Sequence, residues 1–284
     1  MITCNLMGGL GNQIFQIFAT ISYAIKSRNQ FKFTNAISLG SGTTTVRYTF
    51  WDSFFSRLKF FTTDKFPEMH IIREKDFTFN ELPIYEMINP SRDVMIHGYF
   101  QSYKYFQSNY EIICRMIGIE QMKDELLKKL NYDLTFLNNV ISLHFRLGDY
   151  KKLQHFHPIM TKEYYFRCLY FILKKYNKDE KLTVMYFCED DDLNEVQITI
   201  SYLSEKFPQL TFIRGENTLQ DWEQMLLMSC CHHNVIANSS FSWWSAYFNS
   251  WADKIVCYPS VWFGETANIN TKDLCPLNWT KILA

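Results

Sequence analysis

Neither sign of charge prevails in this sequence: 29 lysines and arginines stand against 29 aspartates and glutamates among 284 residues. That balance excludes the broad basic surface with which a nucleic-acid binder neutralises phosphates. Charged residues make up only 20% of the chain against 47% hydrophobic, so the composition of a disordered segment is lacking as well. No window supplies the roughly 18 uninterrupted apolar residues of a membrane-spanning helix. No basic residue precedes Lys26, and glycines and amides at Gly8, Gly9, Gly11, Asn12 and Gln13 cut the first apolar stretch, unlike a secretory leader. A cytoplasmic protein is expected. No CxxC pair occurs. The eight cysteines (Cys4, Cys114, Cys168, Cys188, Cys230, Cys231, Cys257, Cys275) lie mostly in apolar segments, where a reduced thiol acts as a small hydrophobe. In the run Cys230-Cys231-His232-His233, consecutive side chains point in different directions and converge poorly on one metal ion. Low-complexity linkers and tandem repeats are missing too.

What the chain has in excess is aromatic side chains, 17% of residues from 25 Phe, 17 Tyr and 7 Trp. Such rings fill cores first and line sugar or base pockets second. Ile2 to Met7 reads as a short buried strand; glycines come next, then Ile14, Ile17, Phe18, Ile21 and Ile25 repeat at helical spacing. Between about 30 and 135 only strand-like pieces near 70–73 and 94–100 and a helical stretch over 121–130 stand out. After Asn138 the pattern alternates. Strands are expected near 140–146, 182–188, 210–213, 234–237 and 255–258, the last closing the series. Helices are expected near 163–175, 193–206, 219–231 and just after Asn238. This alternation is the signature of a parallel sheet wrapped by helices, whose ligands bind beyond the carboxyl ends of the strands.

Four segments could carry chemistry. Gly8-Gly9-Leu10-Gly11-Asn12-Gln13 lets the backbone approach a ligand and offers helix-start N–H groups, or is a plain tight turn; it is not GxGxxG. In His144-Phe145-Arg146-Leu147-Gly148-Asp149-Tyr150, period-two alternation puts Val140, Ser142, His144 and Arg146 on one strand face. Arg146 could hold a phosphate through two hydrogen bonds, or close the turn by pairing with Asp149. Asn238-Ser239-Ser240-Phe241-Ser242-Trp243-Trp244 suits a helix cap and an anion cradle equally, with the tryptophans in the core. Glu189-Asp190-Asp191-Asp192 could hold a divalent cation on a nucleotide diphosphate or start a helix; Leu193 begins a helical pattern at once and favours the second.

Taken together, GGLGNQIFQIFA at 8–19, GYFQSYKYF at 98–106, HFRLGDY at 144–150, YFCEDD at 186–191, LQDWEQMLLMSCCHHNVIANSSFSWWSAY at 219–247 and YPSVWF at 258–263 resemble the α-1,2-fucosyltransferase family. The resemblance implies an α/β fold of GT-B type, two Rossmann-like halves facing across a cleft. Residues 1–137 would form the acceptor-side half and 138–284 the GDP-fucose-binding half. It implies an inverting transfer of L-fucose from GDP-L-fucose to the 2-hydroxyl of a terminal, galactosyl acceptor glycan, with no metal and no other cofactor. By the same resemblance Arg146 grips the pyrophosphate and His144 lies against the nucleoside. Asn238, Ser239, Ser240 and Phe241 surround the β-phosphate, and Asp221 reads the guanine edge, where N1–H and N2–H are adjacent donors. Gly9, Gly11 and Asn12 face the fucose and the acceptor. Arg146 stabilises the leaving charge, and Asp149 is the expected base or else an orienting partner of Arg146. The sequence departs from the family pattern at Leu147, where a second arginine is common, at Ser245, where glycine is common, and in FCED for FSDD. Other fucosyl linkages (α-1,6 or protein O-fucosylation), a metal-dependent transferase using Glu189 and Asp190, and a non-catalytic glycan-binding module are the alternatives.

Overall fold

The computed structural model describes residues 1–40, 46–83, 93–176 and 181–284. The chain forms two compact units, one from Met1–Gln121 with Asn270–Pro276, the other from Met122–Ile269 with Leu277–Ala284.

In the first unit, β1 (Ile2–Cys4) leads through the glycine turn into α1 (Leu10–Lys26), followed by β2 (Phe33–Thr34), β3 (Ser38–Leu39), β4 (Arg47–Tyr48), β5 (Thr62–Thr63), β6 (Met69–Arg73), β7 (Asp93–His97) and α2 (Tyr110–Ile117). The central sheet has the order β1-β7-β6, all parallel, with Ile2 opposite Val94 and Met69 opposite Asp93. On the free side of β1 the segment before β2 continues the ladder: the Ile2 N–H donates to Gln30 O and the Lys32 N–H to Ile2 O. β2 pairs in parallel with β5, and β3 with β4 in an antiparallel ribbon. α1 is apolar on most of its circumference. Ile14, Phe15, Ile17, Phe18 and Ile21 are all fully buried, each contributing about 1.5–3 kcal/mol of burial, and Lys26 in the last turn complements the helix dipole. The returning segment is tied in by Asp273, whose carboxylate accepts the Phe79 N–H at 3.0 Å and pairs with Lys104, while Ser102 Oγ donates to its carbonyl.

The second unit begins inside α3 (Ile119–Leu130), earlier than the 137/138 division read from the sequence. Lys123 donates to Phe248 O and Lys129 pairs with Glu223, so most of this helix packs with the C-terminal part of the chain. The sequence reading placed the boundary where clear alternation starts, which is not where packing changes hands. After α4 (Leu134–Leu137) come β8 (Val140–His144), α5 (Lys162–Lys175), β9 (Thr183–Phe187), α6 (Leu193–Lys206), β10 (Thr211–Arg214), α7 (Asp221–Cys230), β11 (His233–Val235), α8 (Ser240–Phe248), β12 (Val256–Pro259) and β13 (Thr280–Ile282). Their sheet has the order β10-β9-β8-β11-β12-β13, parallel throughout. Counting strands within the unit, this is the doubly wound 3-2-1-4-5-6 arrangement of a Rossmann-like sheet.

Three expectations need correction. The series does not close at β12: β13, three residues long, adds an edge strand too short to show periodicity. α2 went unread in the irregular middle region. The strand bearing the HxR element stops at His144, so Arg146 lies just beyond it, and all five β8 residues are buried because helices cover both faces of a central parallel strand. All eight cysteines are free thiols. Among the described residues no helix is long and apolar enough to cross a membrane.

Candidate functional site

Strand order reverses between β8 and β11, each the other's neighbour in mid-sheet. Connections leave these two strands in opposite directions, opening a crevice beyond their carboxyl ends. His144 ends β8, and Asn238-Ser239-Ser240-Phe241 lie just past β11. Ser239 is the N-cap of α8 in extended conformation, and its hydroxyl accepts the Phe241 N–H at 3.3 Å. The first turn of α8 follows the carboxyl end of β11, where the helix dipole favours an anion. Trp243 and Trp244, both fully buried, anchor the helix from behind, as expected of core residues.

Arg146 sits on the β8 side. Its Nη2 is 2.5 Å from Asp149 and its Nη1 donates to Glu189, while the guanidinium lies over the Tyr150 ring, 5.2 Å from the centroid. Burial alone would weaken its charge; the Asp149 and Glu189 carboxylates outweigh that and raise its pKa. Glu189 reaches Arg146 because residue 148 is glycine. At φ +31° a Cβ there would be strained and would come within 2.9 Å of the Glu189 carboxylate. The Gly148 N–H donates to Asp192 at 2.8 Å, which also takes Lys151 at 2.8 Å, and Asp190 pairs with Arg214. Three of the four acidic residues, Glu189, Asp190 and Asp192, are therefore occupied in ion pairs with three cations. Asp192 caps α6 without a side-chain hydrogen bond, so the run holds the Arg146 loop more than it starts the helix.

His144 is buried, with Nδ1 lacking a hydrogen-bond partner among the described residues and its ring 5.5 Å from that of Phe241. Burial, aided by the nearby Arg146 charge, lowers its pKa to about 3, so the imidazole is neutral and Nδ1 or Nε2 can accept a hydrogen bond. Asn238 Nδ2 donates to Pro158 O and Trp262 O, both at 3.0 Å, and its main-chain carbonyl accepts the Tyr150 hydroxyl at 3.0 Å, while its Oδ1 is buried with no hydrogen-bond partner among the described residues. It ties together the loops after β8, β11 and β12.

Three residues of this cluster, Tyr150, His157 and Phe263, were not among the site residues expected from the sequence. Tyr150, inside the HFRLGDY segment, stacks on His157 at 4.5 Å with planes 13° apart, and His157 in turn meets Phe263 at 5.6 Å. The string YPSVWF held the signal for Phe263; nothing marked His157. Asp221, by contrast, is exposed at the first position of α7, one crossover away after the edge strand β10, with Gln220 and Glu223 forming the capping box. It stands at the same carboxyl edge of the sheet as Arg146, since β10, β9 and β8 run parallel. His232 of the Cys-His run is bound to Asn138 O at 2.7 Å and to Asp253 at 2.8 Å, and Cys231 Sγ donates to Leu227 O.

Gly9, Gly11 and Asn12 belong to the first unit. Gly8, at φ +75°, makes the turn: a Cβ there would stand 2.4 Å from Asn12 Nδ2. Gly9 caps α1 with open space where a side chain would be, Gly11 is buried in the helix start, and Asn12 Oδ1 accepts from Gln101 Nε2 at 2.8 Å.

The sequence profile described as glycosyl transferase family 11 matches residues 1–282, nearly the whole chain. The chain belongs to glycosyl transferase family 11. This is the family its motifs resemble, and the chain is accordingly a glycosyltransferase. It is 25% identical to an α-1,2-colitosyltransferase of Escherichia coli over 99% of both chains. It is 27% identical to the O-antigen biosynthesis glycosyltransferase WbnK of Escherichia coli, covering 99% of this chain and 100% of that one. Among solved structures, FUT1 of Arabidopsis thaliana in complex with GDP aligns with a TM-score of 0.51 at 8% identity, over 90% of this chain and 70% of that chain. At that identity the likeness concerns the fold, an α/β fold of GT-B type.

Proposed function

We propose that this family 11 glycosyltransferase moves L-fucose from GDP-L-fucose to the 2-hydroxyl of a terminal galactosyl residue, with inversion and without a metal ion. One observation carries the reading: a guanidinium, a neutral imidazole and the N-terminus of α8 meet at the strand-order reversal of a Rossmann-like sheet. That combination suits a nucleoside diphosphate. Arg146 and the N-terminus of α8 would take the β-phosphate oxygens, with charge-assisted bonds of about 1.5–3 kcal/mol each. His144 and Phe241 offer an edge and a face to the nucleoside. As the anomeric C–O bond breaks, charge grows on the departing phosphate, and donors already aimed there stabilise the transition state more than the ground state.

Asp149 is a weaker candidate for the base than the sequence suggested, because it is paired with Arg146; the ion pair makes it an orienting group. Glu189 and Asp190, the carboxylates of a metal-dependent alternative, are paired with Arg146 and Arg214, which supports a metal-free reaction. Asp221 reading guanine remains part of the proposal through the resemblance alone. A second donor is favoured by the colitosyltransferase relative: colitose is L-fucose without its 3-hydroxyl. Incubation with GDP-fucose or GDP-colitose and a panel of β-galactosides, with and without EDTA, tests all of this. The expected result is α-1,2-fucosylated product unaffected by EDTA. Transfer abolished by EDTA, another linkage, or colitose strongly preferred would each overturn the corresponding element, and no transfer would overturn the whole.

A further inference from the structure

We propose that Tyr48 and Tyr99 form an aromatic subsite on either side of the glycine turn of the first unit, taking a pyranose ring of the acceptor glycan. The inference rests on the glycosyl-transfer reading above and deepens it by naming residues for the acceptor, Tyr99 from the GYFQSYKYF string and Tyr48 from outside every motif.

Topology places the two rings. The turn Gly8-Gly9 comes directly after β1, which is flanked by β7 on one side and by the 30–34 segment on the other. All run parallel, so the segments leaving their carboxyl ends gather at the same sheet edge as the turn. Tyr99 comes just after β7, and the β3–β4 ribbon bearing Tyr48 comes just after β2. Hydrogen bonds fix both to the turn. Gln13 Nε2 donates to Gly8 O at 3.0 Å and to Tyr48 O at 2.9 Å. On the other side Gln101, two residues past Tyr99, reaches Asn12 at 2.8 Å.

Both tyrosines combine a fixed backbone with an exposed ring. The Glu74 carboxylate accepts the N–H groups of Tyr99 at 2.7 Å and Phe100 at 3.0 Å, with Phe100 held at φ +51°. Gln13 itself is fully buried. Yet Tyr48 is 65% and Tyr99 40% exposed, although the aromatic rings of α1 and its surroundings are packed away. An isolated exposed ring means little. Two of them, held rigidly about a turn rich in amides, match the needs of a sugar. The C–H face of a galactopyranose is apolar and stacks on a ring, its hydroxyls want amide partners such as Asn12 and Gln101, and fixing the rings in advance lowers the entropy lost on binding. Gly9 leaves open space in the turn, with nothing among the described residues within 4 Å of its would-be Cβ. Inside the turn, Gln13 Oε1 is a buried acceptor that no donor among the described residues satisfies.

The test uses the full chain and the single variants Tyr48→Ala and Tyr99→Ala, checked for unchanged GDP affinity. Acceptor KM is measured with β-galactosides, and glycan binding is followed separately by saturation-transfer NMR. Each variant should raise acceptor KM about tenfold, the loss of one aromatic face from a ligand, with little change in donor KM, and should weaken the NMR signals of the glycan. Tyr→Phe at either position should restore wild-type behaviour, since the ring face does the binding. Wild-type acceptor KM in both alanine variants would overturn the subsite. Should the wild type transfer no sugar, the transfer reading fails by itself, and the NMR arm still decides: signals lost in the variants uphold the subsite, and signals unchanged, or absent from the wild type, refute it.

Discussion

Lowering the pH from about 7 to about 5 should destabilise this protein through one residue, His144. In the unfolded chain its imidazole titrates at the ordinary value of 6.5; in the fold, burial chiefly, with Arg146 adding to it, brings the pKa to about 3. The folded state therefore keeps a neutral ring while the unfolded state takes up a proton, and stability falls as pH drops through 6.5 towards 3. Each pH unit inside that window costs about 1.4 kcal/mol, so the drop to pH 5 removes roughly 2 kcal/mol. In urea this amounts to a midpoint lower by about 1 M. His144→Gln keeps a polar side chain of similar reach without a titrating group. The wild type should lose about 2 kcal/mol more than this variant between the two pH values, and the His144 ring signals in NMR should not titrate above about pH 4. Parallel loss of stability in both proteins, or an imidazole that titrates near 6.5, would refute the claim that the buried imidazole is neutral.

Three further outcomes come from the ion pairs and the helix ends. Glu189→Gln removes one of two carboxylates on Arg146; as Glu189 is half-exposed and screened, GDP affinity should rise by only two- to fivefold, measured by calorimetry, and a fall would show that Glu189 positions the guanidinium instead. Gly148→Ala should lower stability, because a side chain is strained at φ +31°; unchanged melting would contradict that. Lys254, whose ammonium caps α8 at Ala246 O, has its pKa lowered by burial, then by Lys123, to about 8. Between pH 8 and 10.5 the unfolded chain holds more protons at this site, so its term makes stability rise with pH across that range; Lys254→Met should remove this rise, seen as a difference in urea midpoints between the two proteins.

The second unit was legible because its strands and helices alternate at regular spacing. Residues 140–146, 182–188 and 234–237 announced the carboxyl edge, and with it His144, Arg146 and the Ser239 cap. What the sequence hid depends on contacts distant along the chain. Glu189 joins Asp149 on the Arg146 guanidinium from a separate loop, and Asn238 acts through carbonyls of Pro158 and Trp262 that no local pattern couples to it. In the first unit the strands β2 to β5 are two residues long, too short for any period, so the placement of Tyr48 beside the glycine turn could emerge only from the fold. The domain boundary was misplaced for a related reason: α3 looks like any amphipathic helix, and only Lys123 and Lys129 show which unit it joins.

The central claim is that the reversal point between β8 and β11 holds the diphosphate of a GDP-sugar through Arg146. Calorimetric titration of GDP into the wild type and Arg146→Ala, both shown folded by circular dichroism, tests it most directly. Binding in the wild type with no detectable heat in the variant is the predicted result. Equal affinity in the two proteins would contradict it.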